Sequence, residues 1–218
     1  MLSKEQEIIL ETVFSSKIKD VAAWGGGTAL SEIYLHHRRS EDVDIILIDL
    51  PPEIELTILT NEIKDKLKAR AKKSVAKMNR FQYVFELDDG NEQKLEFVYY
   101  PFPKLAKVKK IDKIKVESLL DIAVAKTLSA YQRSEVKDVY DLFIILNEKK
   151  FTLKKLIDGV KKKFEEEIDP AMLLAKMTKN LDNYENLKPL LLKKDYLKKE
   201  IVDLFQSEFN NFFRNKKY

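Results

Sequence analysis

Cysteine is absent from this 218-residue chain, which excludes disulfides and thiolate metal sites and leads us to expect an intracellular protein. Nor does any apolar run approach the roughly 18 residues of a membrane span. The opening "MLSKEQEIILETVF" carries acidic residues at helical spacing in place of a signal peptide's apolar run, so the expected location is cytoplasmic. Charge of one sign is not in excess either: 40 Lys and Arg against 36 Asp and Glu leave +4, too little to argue for nucleic acid by itself. Glycine is scarce, at 5 residues, and neither the GxGxxG of a dinucleotide fold nor the GK[ST] of a P-loop is present. No internal repeat is visible. What remains is a globular chain, 44% hydrophobic, long enough for one large domain or two small ones.

The few glycines are not scattered. Gly25, Gly26 and Gly27 stand side by side in "AWGGGTALSEIYLHHRRSEDVDIILID", which ends on a β-branched run carrying Asp42 and Asp44. Around it, "MLSKEQEIILETVF" and "LSEIYLHH" read as helices and "EDVDIILIDL" as a strand closed by Pro51 and Pro52. Residues 53–78 read as one helix; "RFQYVFEL" and "KLEFVYY" then flank Asp88, Asp89, Gly90 and Asn91 as a hairpin. From about residue 112 the alternation gives way to helical spacing, including a charged amphipathic helix over "LKPLLLKKDYLKKEIVDLF". The expected organisation is an α+β core with a mixed sheet over 1–111 and a helical domain over 112–218.

A glycine cluster lets the backbone approach a ligand and offer N–H groups to phosphate oxygens; a tight turn is the other use of such a cluster. Two residues apart on a strand, Asp42 and Asp44 share a face, with Val43, Ile45 and Leu47 on the other. Paired carboxylates repel unless a cation joins them, and hard oxygen donors favour Mg2+ or Mn2+. Metal-assisted phosphoryl transfer needs further ligand charge. In "KLEFVYYPFP", Glu96 alternates with Leu95 and Phe97 and is the candidate third carboxylate, with an ordinary solvent-facing strand Glu as the plainer alternative.

In "ESLLDIAVAKTLSAYQR" helical periodicity centres Lys126 on an apolar face with Leu119, Ile122, Ala123 and Ala130, so it must snorkel or meet an anion such as a phosphate. Just beyond, Lys137, Asp138 and Asp141 fall in the opening turns of a helix, where Lys137 and Asp141 can pair at i, i+4. Between Lys64 and Arg80 eight basic residues face a single Asp65: a solvated helix face, or a surface for an RNA backbone.

Three stretches, "GGTALSEIYLHHRRSEDVDII", "KLEFVYYPFP" and "SLLDIAVAKTLSAYQRSEVKDVYDLFIIL", together resemble the AbiEii/AbiGii toxin-type nucleotidyltransferases, a branch of the polymerase-β-like superfamily. The resemblance spans roughly residues 20–147. It implies a polymerase-β-like nucleotidyltransferase core followed by helices, which uses a nucleoside triphosphate and Mg2+ (or Mn2+) to transfer a nucleotide to an RNA, tRNA or protein acceptor. A DNA-binding cognate antitoxin is the partner it implies. By position it makes Gly26, Gly27 and Thr28 the phosphate loop, with Arg38 and Ser40 before the metal strand. Asp42, Asp44 and Glu96 become metal ligands, Lys126 the nucleotide-contacting lysine, and Asp138 the aspartate of the KD motif. Gly25 stands where some relatives carry lysine, and His36 where many carry glycine. Two rivals stay open: a DxD-type sugar-nucleotide glycosyltransferase, and a non-catalytic RNA- or protein-binding module.

Overall fold

A computed structural model of the chain describes residues 2–133, 135–148 and 150–214, which form two compact units. The first comprises residues up to Tyr34, Ser40–Pro103 and Lys107–Ser118; the second comprises Leu35–Arg39, Lys104–Ala106 and the chain from Leu119 onward. The expected boundary at 111/112 therefore moves. It falls inside a hairpin of β6 (Lys109–Ile111) and β7 (Ile114–Val116), whose strands pair through Ile111 and Ile114.

In the first unit α1 (Lys4–Ser15) opens with a capping box, Ser3 accepting from the Gln6 amide while the Gln6 side chain accepts from the Ser3 amide. Then follow β1 (Ala22–Gly25), α2 (Gly26–Ala29), a π-helical turn over Leu30–Leu35, and β2 (Val43–Leu47). Next come α3 (Glu53–Leu67), β3 (Ala71–Lys77), β4 (Arg80–Glu86) and β5 (Glu92–Tyr99). The seven strands make one mixed sheet in the order β3-β4-β5-β2-β1-β7-β6, with β2 parallel to β5 and β1 parallel to β7. The α+β class is as expected.

Burial alternates along the strands as period two requires. Val43, Ile45, Leu47, Leu95, Phe97 and Phe85 are fully buried on one face, alongside the apolar stripes of α1 (Ile9, Leu10, Val13) and α3 (Leu56, Leu59, Ile63). The other face carries Asp44 and Glu96.

One expectation fails here. Residues 53–78 are not one helix: α3 ends at Leu67, Lys68 caps it in the left-handed conformation, and the next residues form the edge strand β3. "AKKSVAK" has good helix formers, but its seven residues pair in unbroken register with Arg80–Glu86, and this tertiary ladder outweighs weak local propensity.

The second unit is helical: α4 (Leu119–Gln132), α5 (Val136–Asn147), α6 (Leu153–Phe164), α7 (Pro170–Asn180), a 3-10 segment over Leu181–Leu190, and α8 (Lys198–Arg214). The long amphipathic helix expected from "LKPLLLKKDYLKKEIVDLF" is interrupted; Pro189 lies in the 3-10 segment and the α-helix starts only at Lys198. Segment 35–39 joins this unit as a short strap: Arg38 bridges Leu191, the Arg39 amide donates to the Leu190 carbonyl at 2.7 Å, and the Leu192 amide donates to the His37 carbonyl at 3.0 Å.

Candidate active site

In the first unit, register brings the glycines and carboxylates together. Gly25 pairs with Asp44 across the antiparallel β1–β2 ladder, and Asp44 pairs with Glu96 across the parallel β2–β5 ladder. Gly26 follows with φ +69°, in the region that favours glycine, and a Cβ there would lie 1.8 Å from Asp44 Oδ2. The Asp44 carboxylate occupies the space the missing side chain leaves. Gly25 has a different reason: a Cβ on it would fall 2.5 Å from Glu117 Oε2 and 2.8 Å from Ile46 Cγ1. Glu117 arrives there just past the end of β7, the strand next to β1, its amide donating to the Trp24 carbonyl at 2.8 Å. Nothing local in the sequence announces that neighbour.

Thr28 is fully buried; its hydroxyl shares a 2.9 Å hydrogen bond with the Ser40 hydroxyl and bonds the Asp42 carbonyl, tying α2 to the entry of β2. That entry is held further by Gln6 Nε2, which donates to the carbonyls of Ser40 and Glu41 at 3.0 Å each, and by Gln93 Nε2, which donates to Glu41 at 2.8 Å. Asp42 sits one residue ahead of β2, half-buried like Asp44. Glu96 points away from Leu95 and Phe97, as its alternation predicts, and Arg80 Nη1 donates to its Oε2 at 2.7 Å. Among the described residues no three His, Cys, Asp or Glu side chains converge on one point that could hold a metal ion. The donors that register does align are the two hard carboxylates Asp44 and Glu96. A pair of this kind fits Mg2+, which usually takes one or two carboxylates plus substrate phosphates.

The second unit holds Lys126, Asp138 and Arg38 in one buried charge network. Lys126 Nζ lies 2.7 Å from Asp138 Oδ1 and 2.8 Å from Asp141 Oδ2. Arg38 forks onto Asp141, Nε to Oδ1 at 2.6 Å and Nη2 to Oδ2 at 2.8 Å, and His37 Nε2 is 2.7 Å from the same Oδ1. Arg133 Nε donates to Asp138 Oδ2 at 2.6 Å. Burial on its own would raise the Asp141 pKa, but the nearby Arg38 and Lys126 charges outweigh it and hold the carboxyl well below its usual range. Asp138 is lowered likewise, burial being overridden by Lys126 and Arg133, while Lys126 is raised because Asp141 and Asp138 outweigh its own desolvation. Lys126 thus meets an anion rather than snorkelling, and the anions are two carboxylates of its own unit. The pairing of Lys137 with Asp141 is not found: Lys137 reaches Glu135 at 3.1 Å. The sequence does not single out His37, Arg133 or Glu117, and it offers Asp141 only as a partner for Lys137 and Arg80 only as the end of the basic run; the i, i+3 spacing of Asp138 and Asp141 is the signal for a shared counter-charge.

His36 has φ +49°, in the left-handed region that favours glycine. The basic run does not form one helical face. Lys66 pairs with Glu62 at 2.8 Å on α3, Lys72 Nζ donates to Asn61 Oδ1 at 2.6 Å, and Lys73 pairs with Glu86.

The fold that carries this arrangement is a nucleotidyltransferase fold, and the family match shows this chain to be an enzyme of that class. The family model described as nucleotidyl transferase AbiEii toxin, type IV TA system, matches residues 9–215, and the chain belongs to that family. An uncharacterized protein of Aquifex aeolicus is 26% identical over 225 residues, covering 98% of each chain. The crystal structure of JHP933 from Helicobacter pylori is similar in fold, with a TM-score of 0.61 at 18% identity over 99% of this chain and 97% of the other. No helix among the described residues is long and apolar enough to cross a membrane.

Proposed function

We propose that the chain transfers a nucleotide from a nucleoside triphosphate to a hydroxyl of an RNA, with Mg2+ or Mn2+, as the toxin of a pair whose antitoxin restrains it. The observation that carries this reading is the register Gly25–Asp44–Glu96, which aligns the glycine turn and two carboxylates on one sheet face in a member of this family.

On this reading Asp44 and Glu96 hold the cation, and Asp42 stands nearby at the mouth of β2 without completing a three-carboxylate cluster. The cation supplies charge neutralisation at the transferring phosphorus when bound. Gly26 lets Asp44 stand against the backbone, and the amides of Gly27 and Thr28, at a helix start, offer N–H groups to phosphate oxygens. The Thr28 and Ser40 hydroxyls are committed to each other and to the Asp42 carbonyl, so their part is to fix the loop. Lys126 and Asp138 belong to the network in which Asp141 clamps Arg38, so their part on this reading is to hold the strap within the second unit. Most of the catalysis in such a site is positioning and electrostatics.

The test is incubation of the chain with each labelled triphosphate and total RNA, with Asp44→Ala alongside. We expect label in RNA, pyrophosphate release, and loss of about a hundred- to a thousandfold in the variant, the scale of removing one electrostatic stabiliser, with unfolding unchanged. Undiminished transfer by Asp44→Ala would sink the mechanism. Label in protein would redirect the acceptor.

A further inference from the structure

The sheet face bearing Asp44 and Glu96 does not stop there. Glu96 pairs with Gln82 on β4, and Gln82 pairs with Val75 on the edge strand β3. Asp44, Glu96, Gln82 and Val75 form one cross-strand row on one face, roughly 14 Å long at about 4.8 Å per strand. Beside Val75 on this face of β3 lie Lys73 and Lys77, and Lys77 is paired in register with Arg80. On the opposite face β4 buries Tyr83 and Phe85, which accounts for the core contribution of this hairpin.

Two features of the hairpin have no such account. Val75 is 62% exposed and Met78, at the tip, 92% exposed. Met78 is also the first residue of a two-residue turn between Lys77 and Arg80 and has φ +53°, where Gly or Asn is the unstrained choice. A long apolar side chain at an exposed position that disfavours it does nothing for folding. Residues held in such conformations concentrate where a ligand is gripped. Apolar side chains of this kind, methionine among them, wedge between bases, while lysines beside them meet backbone phosphates.

Resting on the reading of the chain as an RNA-modifying nucleotidyltransferase, we propose that this face of the β3–β4 hairpin is the surface along which a single-stranded RNA end reaches Asp44 and Glu96. Lys73 and Lys77 contact its phosphates, and Met78 and Val75 contact an unstacked base. Lys73 leans on Glu86 in the free protein and is released to phosphate on binding. The split of the basic run matters here: the lysines at the end of α3 are not on this face, so the grip belongs to the hairpin.

Fluorescence anisotropy with a labelled single-stranded oligoribonucleotide and the full chain, across a series of salt concentrations, tests this. The Lys73→Gln/Lys77→Gln double variant should bind about tenfold or more weakly, with a salt slope smaller by about 1.4, the sum for two single-strand phosphate contacts. Met78→Gly relieves the backbone, so it should melt no lower than the parent while binding RNA several-fold more weakly at unchanged salt slope. Unchanged affinity in either variant overturns the proposal. Binding of an acidic peptide with the same dependence on Lys73, Lys77 and Met78, in place of RNA, also overturns it and makes the hairpin a protein-docking edge. The nucleotidyl-transfer assay separates the two levels. If no triphosphate labels any acceptor while both variants still lose RNA, the proposed activity fails and the surface stands; if transfer occurs and the variants bind normally, the surface alone fails.

Discussion

The two units use charge in opposite ways. The sheet unit leaves Asp44 half-buried and Glu96 21% exposed on a face, the latter held by a single arginine that is itself 43% exposed. The helical unit seals Asp138 and Asp141 at 0% exposure and surrounds them with Lys126, Arg38, Arg133 and His37. A carboxylate with one partner near solvent can exchange it for a cation; one with three partners in the dry interior cannot, and serves instead as a fixed point. On the proposed function, reactive and structural carboxylates are told apart by what surrounds them, although both kinds include aspartates two or three residues apart in the chain.

The comparison predicts that removing a carboxylate costs activity in one unit and stability in the other. Asp44→Ala is the activity case already given. Asp141→Ala leaves Arg38 and Lys126 buried without their shared counter-charge and should destabilise the chain by about 3–5 kcal/mol, measured by urea unfolding. The pH dependence follows with its sign. Asp141 and Asp138 titrate lower folded than unfolded, so their contribution is present above the ordinary carboxylate pKa, about 3.9, and is lost as pH falls below it through the folded values. Between about pH 5 and pH 3 the parent should lose more stability than the Asp141→Ala variant. Equal slopes would mean that Asp141 is not the fixed point described.

Gly26→Ala probes the place where backbone and carboxylate meet. Its φ of +69° makes any side chain strained, at roughly 1–3 kcal/mol. The new Cβ must also displace the Asp44 carboxylate, and a shift of about 1 Å at a reacting centre can lower turnover on the order of a hundredfold. The expected result is a variant that still folds, unfolds slightly earlier, and transfers poorly with triphosphate binding less affected than turnover. Loss of stability without loss of transfer would detach Asp44 from catalysis.

Which parts of this were legible in the sequence follows from how local each cause is. Alternation in Val43–Leu47 and Leu95–Phe97 exposed Asp44 and Glu96 as outward residues because strand periodicity is local, and the Asp-Asp-Gly-Asn turn marked the β4–β5 hairpin for the same reason. β3 reads as helix because its lysines and alanines favour helix, and the pairing that decides it lies on the next strand. The clamp of Arg38 on Asp141 spans 103 positions, and no periodicity reports a contact at that separation. Gly25 was opaque for a related reason: the side chain it makes room for, Glu117, belongs to a segment brought alongside by the β1–β7 pairing.

The smallest expected change sharpens the comparison most. Arg80 and Glu96 are both partly exposed, so Arg80→Gln should alter stability by less than about 1 kcal/mol, the range of surface ion pairs. Its effect should lie in competition. With the guanidinium gone, Glu96 no longer has a cation to give up, and Mn2+ should bind several-fold more tightly, read by the loss of the free-ion paramagnetic resonance signal without any substrate. The double variant Arg80→Gln/Glu96→Gln should lose that gain, since the tighter binding runs through the carboxylate. Unchanged Mn2+ affinity in Arg80→Gln would make Arg80–Glu96 a structural pair and leave Asp42 and Asp44 alone to hold the ion. A buried pair in the helical unit cannot give the same result: Lys126→Met should reduce stability and recruit no metal, because the carboxylates it abandons remain bound by Arg38, Arg133 and His37.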